Sequence, residues 1–162
     1  MSGDTPGEGD KLMFFADAML GKLARWMRVM GYDVEYDSGI DDDELIKRAV
    51  QEERIILTRD TLLLKRRAVR RRSFFVEGND VSVQLKQVAG RFGIDRALTL
   101  TRCLRCNEPL KDLDKTDIVG KVPPFVYETQ DRFSKCPVCG RLYWGGTHKE
   151  RMLEDLKELL KK

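Results

Sequence analysis

A chain of 162 residues with 41% hydrophobic side chains can fill one modest core and excludes two full-size domains. Its longest apolar runs, Leu12 to Ala16, Ile55 to Leu57 and Thr61 to Leu64, fall far short of the ~20 residues of a membrane span, which predicts a soluble protein with no membrane partner. The net charge of +3 hides an asymmetry: residues 1–60 carry 8 basic and 14 acidic side chains, residues 61–105 carry 11 and 3, and residues 106–162 carry 11 and 10. A basic middle beside an acidic first third suits a protein that holds cations at one place and a polyanion next to it.

In chain order, residues 1–10 are Gly-rich and acidic, with neither the basic nor the apolar region of a signal peptide. They read as a disordered leader on a cytoplasmic protein. Leu12 to Ala16 is an apolar run without alternation, as in a strand covered on both faces, and Asp17 ends it. Leu20, Leu23, Ala24, Met27 and Met30 then recur at helical spacing, with Lys22, Arg25 and Arg28 off that stripe and Gly31 as the residue beyond the helix end. Tyr32 to Tyr36 reads as a second strand. Asp41 can cap the next helix, with Glu44 completing a capping box and Leu45, Ile46, Ala49 and Val50 on its buried face.

Arg54 to Thr58 is a third strand, ending at Arg59-Asp60, and a basic helical stretch from Thr61 to Arg72 follows. Ser73 to Val76 is the fourth strand, Val81 to Phe92 has helical spacing, and Ala97 to Leu100 is a possible short strand. This alternation predicts an α/β fold, a parallel sheet with helices on its faces, over residues 11–101. Residues 102–162 form a smaller unit marked by cysteines and closed by a helix over Arg151 to Lys162.

Ligands of open parallel sheets bind beyond the carboxyl ends of the strands. Acids occupy that edge here: Asp17 after the first strand, Asp41, Asp42 and Asp43 after the second, Asp60 after the third and Asp80 after the fourth. Each alone reads equally as a helix cap or turn residue. Several carboxylates on one edge repel unless a cation sits among them, and Mg²⁺ or Mn²⁺ fits an all-oxygen set that can activate water towards a phosphodiester.

The segments Phe15-Ala-Asp-Ala-Met-Leu-Gly-Lys-Leu-Ala-Arg-Trp-Met-Arg-Val-Met-Gly-Tyr-Asp-Val34, Asp42-Asp-Glu-Leu45 and Ile56-Leu-Thr-Arg-Asp60 closely resemble the Mut-seven C-terminal RNase family. The resemblance runs from Leu12 to Met152. It implies a PIN-like nuclease domain followed by a zinc ribbon, and metal-dependent RNA cleavage. Asp17, Asp42 and Asp60 match the family's acidic positions; Asp42 is preferred to Asp43 because the family acid stands three residues before the helix Leu, here Leu45. Asp43 and Asp80 are secondary candidates. PIN-like domains also include inactive scaffolds, so a non-catalytic RNA-binding adaptor is the alternative, and a toxin-like nuclease held by a partner is a third.

Cys103-Leu-Arg-Cys106 and Cys136-Pro-Val-Cys139 supply two C-x-x-C pairs, the spacing at which four thiolates reach one tetrahedral, structural Zn²⁺. Asn107 and Gly140 follow the second cysteine of each pair and tolerate the left-handed backbone such a turn uses. The Pro123-Pro124 segment between the pairs is expected in strands or a loop of the ribbon. Lys65, Arg66, Arg67, Arg70, Arg71 and Arg72 put six cations into eight residues with no acid, which favours contact with RNA phosphates over a solvated face. The only histidine, His148, lies in Trp144-Gly-Gly-Thr-His148, which also resembles the family's ribbon end, and is a further RNA-contact candidate. Tyr143 and Trp144 suit either base stacking or the ribbon core.

Overall fold

Four short strands, β1 (Met13–Ala16), β2 (Asp33–Tyr36), β3 (Ile55–Thr58) and β4 (Ser73–Phe75), pair in parallel in the order β2-β1-β3-β4. The computed structural model describes residues 12–95 and 98–161; the leader, Lys11, Arg96, Ala97 and Lys162 lie outside them. Each crossover carries helix: α1 (Gly21–Val29) after β1, α2 (Asp42–Gln51) after β2, α3 (Thr61–Leu64) after β3, with α4 (Val81–Phe92) following β4. The central strands β1 and β3 are apolar without alternation because both faces are covered, whereas the edge strand β2, Asp33-Val-Glu-Tyr36, alternates. Phe14, Ala16 and Leu57 join α1 and α4 residues such as Leu23, Met27, Leu85 and Val88 on one side, while Phe15 and Ile56 meet Leu45, Ala49, Leu63 and Val69 on the other.

Local signals set the helix ends. Asp41 accepts from Glu44 N–H at 2.8 Å and starts α2. At the end of α1, Tyr32 N–H donates to Met27 O and Gly31 N–H to Arg28 O, the paired bonds that close a helix through a left-handed glycine. Gly31 has φ +93°, and a Cβ there would lie 2.2 Å from Leu98 O.

Four expectations change. Val50 lies off the buried face of α2 and is exposed. The basic stretch is not one helix: α3 ends at Leu64, a 3₁₀ turn spans Arg67–Val69, and β4 opens at Ser73. Like charges one turn apart oppose a helix, and the crossover must bring the chain back to the amino edge to start a parallel strand. Residues 98–100 form turns and not a strand. Pro124 opens a helix, α5 (Pro124–Thr129), where its missing N–H costs nothing.

The cysteine-bearing segment adds an antiparallel sheet of β5 (Lys111–Leu113), β6 (Phe133–Lys135) and β7 (Leu142–Trp144), with its own small core of Ile118, Val122 and Phe133. The final helix, α6 (Thr147–Lys161), leaves this sheet and returns to the first unit. Leu156 is buried there with Met152, Leu159 and Leu160 beside it, and Ser82 Oγ donates to Leu159 O at 2.8 Å.

Candidate functional site

In this strand order the chain steps from β1 to β2 on one side and to β3 on the other, so the crevice lies between the carboxyl ends of β1 and β3. Asp17 and Asp60 stand at those two ends. Asp17 is only 6% exposed. Its Oδ1 accepts from Met19 N–H (2.8 Å), and its Oδ2 accepts from Thr58 Oγ1 (2.6 Å) and Arg59 N–H (3.2 Å). The Thr58 hydroxyl in turn accepts Asp60 N–H at 2.9 Å, so one buried hydroxyl ties the two acids together. Asp60 Oδ1 caps α3 through Leu62 N–H at 2.9 Å.

Asp42 is exposed in the first turn of α2. Its neighbour Asp43 forms a 3.1 Å ion pair with Arg66. Asp80 caps α4, accepting from Ser82 N–H at 2.7 Å. The acids share one edge without converging as the cysteines do: among the described residues, the group of three or more candidate ligands whose donor atoms all lie within 4.8 Å of one another is Cys103, Cys106, Cys136 and Cys139.

The basic arm divides. Arg66 reaches the acidic edge through Asp43, whereas Arg72 donates to Glu53 O at 2.9 Å and its own carbonyl accepts Ile56 N–H, at the opposite, amino end of the sheet. Lys65, Arg67, Arg70 and Arg71 are exposed between them. His148 is exposed in the first turn of α6 and is not part of the cysteine cluster.

The two cysteine pairs form matching turns. Asn107 N–H donates to Cys103 O and Gly140 N–H to Cys136 O, and both residues are left-handed, at φ +67° and +76°. Backbone N–H groups of Cys106 and Cys139 point at Cys103 and Cys136 Sγ. Cys103 and Cys139 Sγ are 3.8 Å apart, close to the roughly 3.8 Å edge of a tetrahedron with Zn–S bonds of ~2.3 Å. The donor set fits zinc with all four positions filled by sulfur, which holds the fold and leaves no position for substrate.

Tyr143 belongs to this cluster: its hydroxyl lies 3.2 Å from Cys103 Sγ and accepts Leu104 N–H. Burial opposes ionisation of Cys103, but the Tyr143 hydrogen bond and nearby backbone donors outweigh it and hold the thiol at about 7. Burial, then the bond to Cys103, pushes Tyr143 up to about 12, so it stays a donor. Trp144, next to it, is exposed.

A family model described as the Mut7-C RNAse domain matches residues 12–156, taking in both the acidic edge and the cysteine ribbon. The chain belongs to the Mut7-C RNAse domain family. No curated protein and no solved structure matches it. Membership in the Mut7-C RNAse domain family points to a nuclease acting on RNA. No described helix is long and apolar enough to cross a membrane.

Sequence reasoning missed the residues that join the two halves of this Mut7-C RNAse domain. Arg28, off the apolar stripe of α1, is nonetheless buried, donating from Nε to Val34 O and from Nη1 to Leu104 O and Arg105 O in the first cysteine turn. Asn107 Oδ1 accepts Val34 N–H of the edge strand β2 at 2.9 Å, and its Nδ2 donates to Asp33 Oδ1 at 2.7 Å. Arg54 pairs with the same Asp33 oxygen at 2.7 Å, and Arg102 Nη2 lies 3.8 Å from the other. Thr58 was missed as well; its signal was a polar residue closing an otherwise apolar strand.

Proposed function

We propose that the protein is a metal-dependent ribonuclease that hydrolyses RNA phosphodiesters at the crevice between β1 and β3, with Asp17, Asp42 and Asp60 as the carboxylates that hold Mg²⁺ or Mn²⁺. The observation that carries this reading is the pair of acids at the switch point, joined through one buried hydroxyl. The oxygens there suit a hydrated hard ion, which needs only one or two carboxylates and keeps several waters. Asp42 is exposed, and Asp60 Oδ2 lies outside the cap bond that its Oδ1 makes.

When bound, the ion supplies a more acidic water and charge stabilisation at the phosphate. The chain's own residues orient the site. Thr58 and the N–H groups of Met19 and Arg59 fix the Asp17 carboxylate, and the Asp60 N–H bond fixes the second loop against it. Arg66 and Lys65 offer cations for the substrate backbone. The zinc ribbon, residues 102–162 in this reading, extends the RNA-binding surface of the nuclease unit, residues 11–101.

The test is cleavage of labelled RNA by zinc-loaded protein with Mg²⁺, with Mn²⁺ and with neither. Asp60→Asn and Asp42→Asn should abolish metal-dependent cleavage while leaving the thermal midpoint near wild type. Asp17→Asn is the poorer probe, because three donors face its carboxylate and an amide presents only one acceptor oxygen. Three of the roughly four acceptor sites of the Asp17 carboxylate are taken by the chain's own donors, which favours a second reading, an RNA-binding adaptor. RNA binding without metal-dependent cleavage selects it.

A further inference from the structure

The acidic edge also carries a cation that no acid holds. Arg59 stands between Thr58 and Asp60, and its backbone N–H is one of the three donors on Asp17. Its guanidinium goes elsewhere: Nη1 donates to Asn79 Oδ1, in the loop after β4. That loop is pinned by α4, with Gln84 Nε2 donating to Gly78 O at 2.8 Å and the Gln87 amide bonding both the N–H and the carbonyl of Glu77. Asn79 is therefore a fixed acceptor, and the Arg59 side chain rests on it across the carboxyl ends of β3 and β4.

The resting position is incomplete. Among the described residues, the Arg59 Nε is the one buried side-chain nitrogen or oxygen with no hydrogen-bond partner. Elsewhere the chain satisfies such atoms: Nε of Arg28 donates to Val34 O, of Arg54 to Glu52 and of Arg102 to Gly31 O. Arg54 and Arg66 also pair with carboxylates, whereas Arg59 has no carboxylate partner among the described residues. A buried donor left unpaired makes the resting position costly, and that cost is recovered when the guanidinium turns onto a ligand that takes Nε–H and an Nη–H together. Two oxygens on one atom at the spacing of that fork belong to a carboxylate or a phosphate. RNA, to which the family points, supplies the phosphate.

We infer that Arg59 is a phosphate clamp: held on Asn79 at rest, it turns onto the backbone of RNA at the crevice and presents Nε and Nη to two nonbridging oxygens of one phosphate. This rests on the ribonuclease reading for its ligand and adds the residue that grips it, distinct from Lys65 and Arg66.

The test uses zinc-loaded full-length protein without Mg²⁺ or Mn²⁺, so that turnover does not enter. The first readout is the Arg59 Nε–H resonance in protein carrying nitrogen-15 arginine, assigned by its absence from Arg59→Lys. A short oligoribonucleotide should move it downfield as the orphan gains an acceptor, while the Nε–H resonances of Arg28 and Arg102, already bonded, stay in place. The second readout is affinity by fluorescence anisotropy. Arg59→Gln keeps the backbone N–H on Asp17; it should bind about tenfold more weakly and lower the slope of log affinity against log salt by roughly 0.7. Asn79→Ala removes the rest and leaves the clamp, so it should bind at least as tightly as wild type.

An unmoved Arg59 resonance overturns the clamp. So does an Asn79→Ala protein that loses as much affinity as Arg59→Gln, because the bond between the two side chains is then structural alone. A resonance moved by inorganic phosphate and not by the oligoribonucleotide also overturns it, the ligand then being a free anion. A moved resonance with the lowered salt slope supports the clamp; in a protein that never cleaves RNA with Mn²⁺, that result leaves the clamp standing and removes only the catalytic reading. Should Arg59→Gln fail to fold, the wild-type resonance decides.

Discussion

Asn107→Ala is the sharpest test of how the cysteine ribbon is joined to the sheet. The change leaves the buried Val34 N–H without its acceptor and removes hydrogen bonds to the Asp33 and Glu35 carboxylates, the second of them longer at 3.2 Å. An orphaned buried donor costs about 1–3 kcal/mol and a lost bond to a charged group about 1.5–3. Placing Ala at φ +67° adds about 1 kcal/mol. Asp33 keeps Arg54, so the costs do not add fully, and we expect a net loss of about 3–5 kcal/mol. Asn107→Gly makes the same losses without the backbone strain and should be milder by about 1 kcal/mol. The assay is urea unfolding of zinc-loaded protein, followed by tryptophan fluorescence from Trp26 on α1 and Trp144 on β7.

Acid supplies a second reading of the same perturbation. Burial opposes ionisation of Asp33, but the bonds from Arg54 and Asn107 outweigh it and hold the carboxyl below its ordinary value. Stability from a depressed carboxyl is present above the unfolded value and lost as pH falls through the folded one. The gap between wild type and Asn107→Ala should therefore narrow in acid. An Asn107→Ala protein within about 0.5 kcal/mol of wild type, or one less stable as Gly than as Ala, refutes the reasoning.

Gly31→Ala should destabilise by about 3 kcal/mol or more, since its Cβ would meet the Leu98 carbonyl at a left-handed φ; thermal unfolding checks it. The protein should carry one zinc per chain by elemental analysis, and Tyr143→Phe should weaken zinc retention about 10–100-fold in competition with a chelator, as loss of an outer-shell hydrogen bond does. Gln at Lys65 and Arg66 should lower the slope of log RNA affinity against log salt by up to ~0.7 per lost contact. The same change at Arg70, Arg71 and Arg72 should lower it less, because Arg72 is held at the amino edge.

The sheet and its helices were legible because covered parallel strands read as short apolar runs and helix faces as three- and four-residue spacing. Asp17 and Asp60 were legible as strand-end acids for the same reason, each being the first acid after such a run. The cysteine turns were legible through spacing, down to the left-handed Asn107 and Gly140. What the sequence concealed was long-range partnership. Arg28 is off the apolar face by periodicity, yet it is buried because carbonyls from Leu104 and Arg105, distant in sequence, receive it. Asn107 declared its backbone conformation but not that its side chain would complete the edge of β2. The extent of α3 was misjudged because composition cannot say how soon a crossover must turn back towards the next parallel strand.

The return of α6 to the first unit bears on how the protein is made. Synthesis runs from the amino end, and domains generally fold as they emerge. Here the residues that bury the outer faces of α1 and α4, Met152, Leu156, Leu159 and Leu160, are translated only after both cysteine turns. Until then the apolar surface of α1 and α4 stays open. The parallel-sheet unit therefore completes its core only once the cysteine-bearing segment has been made, so a chain still short of α6 carries its edge acids on an unfinished fold.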